Sequence, residues 1–127
     1  MSQMPDNEHP RVTEIVKHAI ELEKENEIAF ATQILTDLVG QFPKEAVAHG
    51  YLGWILSCAE RHREAIDHCR VAIQLAPKSE RVSLLLFRVL WGAGERDLAF
   101  AEMKRFVTVG RSEEYLNLIR DLNQAGL

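Results

Sequence analysis

The side chains that most often carry chemistry are few here: two cysteines and five histidines. A zinc site needs several His or Cys ligands on one face, typically three or four residues apart on a helix. His62 and His68 are six residues apart and do not meet this spacing, although His68 adjoins Cys69. We therefore predict no metal site and expect the histidines to be solvated or to cap helices. Cys58 and Cys69 are expected to be small buried side chains rather than a disulfide.

Two further patterns resemble parts of active sites. Ser57 and Cys58 precede His62 by a few residues. A nucleophile needs a base within hydrogen-bond reach and a third group that orients the base, and a helix end followed by a turn does not supply these. Residues 92–94, Gly-Ala-Gly, are too short for a phosphate-binding loop and follow a helix instead of a strand. The sequence therefore predicts no catalytic residue, no cofactor site and no enzymatic activity.

The composition points to a globular protein, with 46% hydrophobic and 27% charged residues. The net charge of −4 and the scattered basic residues argue against nucleic-acid binding, which needs a basic surface. The polar start lacks the basic and apolar regions of a secretory signal. No apolar run approaches the ~18 residues that span a bilayer. We expect a cytoplasmic protein that binds neither nucleic acid nor membrane.

The elements that hold these residues are predicted to be helices, because apolar positions recur every three or four residues from Val12 onward. Residues 1–11 are polar, contain two prolines and are predicted to be disordered. Ser79 and Ser112 are expected to cap helices, and Gly94 to lie in a turn. The pattern predicts seven helices, over residues 12–25, 28–41, 45–59, 62–75, 80–91, 95–109 and 113–124.

The helical region repeats with a fixed period. Ala31, Ala65 and Ala99 are equally spaced, and segments 12–45, 46–79 and 80–113 align without a gap. Their interval matches arrays of helix–turn–helix units, in which the period is about 34 residues. Small residues such as these alanines let the two helices of a unit approach closely. We therefore expect the alanines to lie at helix–helix contacts.

The pattern resembles the tetratricopeptide repeat family. The middle segment matches the family best, with Gly53, Leu56, Ala65, Ala72 and Pro77 at its characteristic positions. The outer segments depart from it, as terminal repeats often do: Leu38 and Phe106 replace an alanine, Phe87 a small residue and Arg111 a proline. The resemblance implies an all-α, right-handed α-solenoid with three repeats in a single domain, residues 12–127. Helix 113–124 would cap it, with Leu116, Ile119 and Leu122 turned inward.

In this family the first helix of each repeat lines a concave groove. Soluble proteins seldom leave a large apolar patch bare, so an apolar segment of a partner would fit there, although Val47 and Leu84 can instead pack between helices. A carboxylate clamp is excluded because only Arg81 is basic among the matching positions. Carried onto this chain, the resemblance implies a partner-binding surface of Val16, Ile20, Val47, Tyr51, Trp54, Arg81, Leu84, Arg88 and Trp91.

These observations predict a non-catalytic protein–protein interaction module that binds an apolar or amphipathic segment of a partner protein. By resemblance, two roles fit: a bacterial secretion chaperone and a toxin-neutralising immunity protein. The alternative is a structural, self-assembling scaffold, in which a second copy fills the groove or the capping face and forms a homodimer.

Overall fold

The computed structural model describes residues 9–126 and contains no strand within them. The all-α architecture with seven helices is confirmed. The helices are α1 (Pro10–Lys24), α2 (Ile28–Gln41), α3 (Ala46–Cys58), α4 (His62–Leu75), α5 (Glu80–Gly92), α6 (Arg96–Val109) and α7 (Glu113–Gln124).

Helix α1 begins two residues before its predicted start. Pro10 is the first helical residue, where its missing N–H and fixed φ cost nothing. The Nδ1 atom of His9 accepts a hydrogen bond from the Arg11 amide at 3.1 Å, so His9 caps a helix as expected. The predicted disorder of residues 1–11 therefore does not extend to Pro10 and Arg11, and residues 1–8 lie outside the described part of the chain.

The repeat period is present in the backbone as well as in the side chains. Asn26, Glu60 and Gly94 occupy the same place in the three turns within the repeats, and each has a positive φ, of 63°, 61° and 81°. In each turn the amide of the next residue bonds to the carbonyl five residues earlier, which closes the helix end in a Schellman-type motif. Only Gly94 has the residue type that favours this conformation fully.

Both predicted serine caps are confirmed. Ser79 Oγ accepts from the Val82 amide at 3.2 Å, and Ser112 Oγ accepts from the Tyr115 amide at 3.1 Å. Each bond satisfies one of the amides that the first helical turn leaves without an internal partner. These caps fix where α5 and α7 begin and therefore which faces they turn to the array.

Within each repeat the two helices pack as a hairpin, and α3 lies between α1 and α5. Ala31, Ala65 and Ala99 are completely buried, as their spacing predicts. The middle hairpin is closest at Gly53, where an added Cβ atom would lie 2.5 Å from Cys69 Sγ and 2.7 Å from the Ala65 carbonyl oxygen. Such distances leave no room for a side chain, so glycine at position 53 allows α3 to approach α4.

The predicted inward stripe of the capping helix is confirmed at Ile119, which packs against the core, and Leu122 is half-buried. Tyr115 is only 1% exposed, whereas Leu116 is 40% exposed, so the prediction for Leu116 is wrong. Leu118 and Ile119 pack against the core beside Tyr115. The reason is the helix start: counted from Ser79, Ser112 comes one residue earlier than the repeat period would place it, which rotates α7 relative to the repeat register.

Candidate functional site

A cluster of aromatic and basic side chains lies where α3 adjoins α5. The rings of Tyr51 and Trp54 meet edge to face, with centroids 6.1 Å apart. The Arg81 guanidinium of α5 lies 6.0 Å from the centre of the Tyr51 ring, which is within cation–π range. All three side chains are half-buried. They therefore present apolar surface that is already ordered by contacts with neighbouring residues.

Two aliphatic residues of the expected binding surface lie on the first helices of the first and third repeats. Ile20 of α1 and Leu84 of α5 are half-buried and pack against the core. Ile20 holds the position in the first repeat that Trp54 holds in the second. We call the surface of Ile20, Tyr51, Trp54, Arg81 and Leu84 the aromatic face.

Two residues of the expected binding surface belong instead to the core. Val16 of α1 and Val47 of α3 are both buried among other apolar side chains. Their side chains stabilise the packing of the first helices and offer almost no accessible surface. For Val47, packing between helices was the alternative that the sequence left open.

The ring contacts of Trp91 are with residues outside the aromatic face. Its ring stacks on Phe87 at 5.8 Å, meets Phe100 edge to face at 5.5 Å, and has the Arg96 guanidinium 5.0 Å from its centre. Phe87 and Trp91 are four residues apart and share one side of α5, which faces α6. The sequence register alone places Trp91 beside Trp54, but its ring contacts are with residues of α5 and α6.

Arg88 marks the boundary between the aromatic face and the capping helix. Its guanidinium bonds to a carboxylate oxygen of Glu114 at 2.9 Å, and both side chains are largely exposed. Exposed ion pairs of this kind contribute about 0–1 kcal/mol to stability. A partner that offers a carboxylate to Arg88 would therefore compete with a weak internal contact.

A buried polar cluster joins α5, α6 and α7. Ser83 Oγ lies 2.6 Å from Glu102 Oε2 and 2.8 Å from the Tyr115 hydroxyl. Arg105 pairs with the same Glu102 carboxylate at 2.7 Å and donates to the Pro77 carbonyl oxygen at 2.8 Å. Burial raises the pKa of Tyr115, so the phenol stays protonated. Because every group has a partner, the cluster holds the capping helix in place rather than forming a reactive centre.

A second polar pair lies in the middle repeat. His49 and His68 approach to 3.4 Å between their Nδ1 atoms, and His49 Nε2 donates to the Pro43 carbonyl oxygen at 2.8 Å. His49 is buried, so the expectation that the histidines are solvated or cap helices is wrong for this residue. Burial, and then the nearby His49, lower the pKa of His68. The two residues lie on different helices and match no common motif, so the sequence pattern did not predict that their rings would be in contact.

The two cysteines differ in their surroundings. Cys69 is buried as expected, and burial raises the pKa of its thiol to about 12. Cys58 is exposed, so the expectation of burial is wrong there.

Within residues 9–126, no three His, Cys, Asp or Glu side chains are grouped so that they could hold a metal ion. None of the helices in this range has the length and apolar character that crossing a bilayer requires.

Comparisons with known proteins support the fold. No protein-family model matches the chain, and no curated protein matches it. Among solved structures, the chain is similar to a point mutant of MamA, with a TM-score of 0.64, 18% sequence identity, and coverage of 85% of this chain and 79% of that one. MamA contains tetratricopeptide repeats. At this identity the likeness shows the fold alone, a helical-repeat solenoid.

Proposed function

We propose that the protein is a non-catalytic binding module that holds an apolar or amphipathic segment of a partner protein on its aromatic face. The observation that carries this proposal is the contact of Tyr51, Trp54 and Arg81 on two adjacent helices, with all three side chains left half-exposed. Tyr, Trp and Arg are the residue types that contribute most often to binding energy at protein interfaces.

The chemistry of this surface defines the kind of segment it fits. Tyr51 and Trp54 offer ring faces and edges to aliphatic or aromatic side chains, and Ile20 and Leu84 add half-buried apolar surface on α1 and α5. Arg81 and Arg88, both on α5, add positive charge on that side of the aromatic face. An amphipathic helix with apolar residues at three- and four-residue spacing and an acidic residue beside them would satisfy both features.

Two biological roles are consistent with such a surface. A secretion chaperone would cover an apolar segment of a subunit before export, and an immunity protein would cover part of a toxin. Both remain proposals, which the identity of the bound partner decides. A subunit of an export system would favour the first, and a toxin the second.

The two tryptophans provide a test with a matched control. We would immobilise the wild type, Trp54→Ala and Trp91→Ala, capture proteins from an extract of the source cells, and measure the affinity of a purified captured partner for each form. Trp54 lies in the aromatic face, whereas Trp91 contacts Phe87 and Phe100. Circular dichroism would establish that both variants keep their helices.

We expect Trp54→Ala to weaken binding at least ten-fold and Trp91→Ala to change it less than three-fold, because loss of a central interface tryptophan costs roughly 2 kcal/mol or more. Equal effects of the two substitutions, or an unchanged affinity for Trp54→Ala, would place the binding surface elsewhere.

A further inference from the structure

The first repeat carries a cleft that the aromatic face does not include. The cleft has a volume of about 440 Å³ and runs between α1 and α2. Ile15, Ile34 and Leu38 provide its apolar part, and Phe30 stands on its rim with 60% of its surface exposed. Phe30 is the most exposed of the large hydrophobic residues within the described part of the chain.

The equivalent positions in the other repeats are filled differently. The two positions that hold Ile15 and Ile34 in the first repeat hold the His49–His68 pair in the second and the Ser83–Glu102 pair in the third. In the third repeat Tyr115 of the capping helix reaches this pair and covers it. In the first repeat only residues of α1 and α2 line the cleft.

Ends of helical-repeat arrays usually need a polar covering to avoid association. Helix α7 covers the third repeat, and most of its outward residues are polar. The cleft of the first repeat instead leaves an exposed phenylalanine beside half-buried isoleucines. Contiguous apolar surface that a soluble protein leaves exposed often marks a site of interaction.

The composition of this surface points to its occupant. A two-fold interface requires a patch that is complementary to itself, since each copy must offer what the other accepts. The same patch offers a projecting ring, Phe30, and an apolar cleft that can receive a ring. Its rim also carries opposite charges, with Arg11 and His18 against Glu14 and Asp37.

We propose that a second copy of this chain docks on the cleft between α1 and α2, so that the protein forms a two-fold dimer with Phe30 of each copy seated against the other. Arg11 of one copy pairs with Glu14 of its partner. The aromatic face lies outside this interface and stays open in the dimer. A dimer of this type would present two aromatic faces to its partners.

The test measures the mass of the full chain by sedimentation velocity from low to high micromolar concentration. We expect a dimer, and we expect Phe30→Asp to raise its dissociation constant about ten-fold or more, because the substitution places a charge in an apolar contact. The matched control is Leu98→Asp, since Leu98 holds the same position in the third repeat and is also exposed, at 43%. This control should leave the dimer unchanged.

A second pair of variants makes the result independent of any effect of Phe30 on folding. Arg11→Glu should weaken the dimer, and Arg11→Glu combined with Glu14→Arg should restore it, because the rim charges pair across the two-fold axis. A double variant as weak as Arg11→Glu alone overturns this pairing. A monomer at every concentration overturns the proposal and leaves the cleft to a different protein. Equal weakening by Leu98→Asp also overturns it, because the interface would then not be specific to the first repeat. Trp54→Ala leaves the mass unchanged, which separates this result from that of the proposed function.

Discussion

The close packing around Gly53 predicts how much a substitution there changes the free energy of unfolding. An alanine in a helix is ordinarily favoured over glycine by about 1 kcal/mol. At position 53, however, the new Cβ atom would lie 2.7 Å from the Ala65 carbonyl oxygen and 3.3 Å from the Cys69 amide nitrogen. Both are backbone atoms of α4, so the helices must separate to relieve the overlap.

Overpacking of this kind costs about 1–3 kcal/mol, and contact with backbone places Gly53→Ala near the upper end. After the gain in helix propensity of about 1 kcal/mol, the net loss should be about 2 kcal/mol. In a domain of this size that corresponds to a fall in melting temperature of roughly 6–10 °C.

Gly40 provides the control, because it is an exposed glycine of α2 with no atom within 4 Å of an added Cβ. Gly40→Ala should therefore raise stability by up to about 1 kcal/mol. Urea unfolding followed by circular dichroism measures both variants. A Gly53→Ala protein as stable as the wild type, or stabilised like Gly40→Ala, would refute the close approach of α3 and α4.

Three further substitutions test the turns, the capping helix and the histidine pair. Glu60→Gly should raise the free energy of unfolding by about 0.5–1 kcal/mol, because Glu60 has a φ of 61°; an unchanged urea midpoint would contradict this. Tyr115→Phe removes the hydroxyl 2.8 Å from Ser83 and should cost about 1 kcal/mol in the same assay, whereas no loss would show that the buried polar cluster does not hold α7. His68 has a lowered pKa, so below its unfolded value of about 6.5 the unfolded chain binds more protons and stability falls. His68→Asn should flatten the decline of the urea midpoint between about pH 7.5 and pH 5.5, and an equally steep decline would exclude this residue as its source.

The architecture could be predicted because its determinants are local and repeated. Three equally spaced alanines set the register, and the caps at Ser79 and Ser112 set the helix starts. Each of these signals depends on nearby residues and on a period that the sequence shows directly. The comparison with a solved repeat protein supports the same fold.

The direction of individual side chains could be predicted less well. The register places Trp91 beside Trp54, but Phe87, which replaces a small residue, forms a stacked pair with Trp91 on the side of α5 that faces α6. The one-residue shift at Ser112 turned Tyr115 inward in place of Leu116. Both differences arise where an outer repeat departs from the pattern, since a periodic rule carries no information about such departures.

The most direct test of the proposed binding surface uses the indole N–H signals of the two tryptophans. In a proton–nitrogen correlation spectrum, Trp54→Phe and Trp91→Phe variants assign these signals, and the purified partner is then added to the wild type. We expect the Trp54 signal to shift or broaden on binding while the Trp91 signal stays in place. A shift of the Trp91 signal with an unchanged Trp54 signal would contradict binding at the aromatic face.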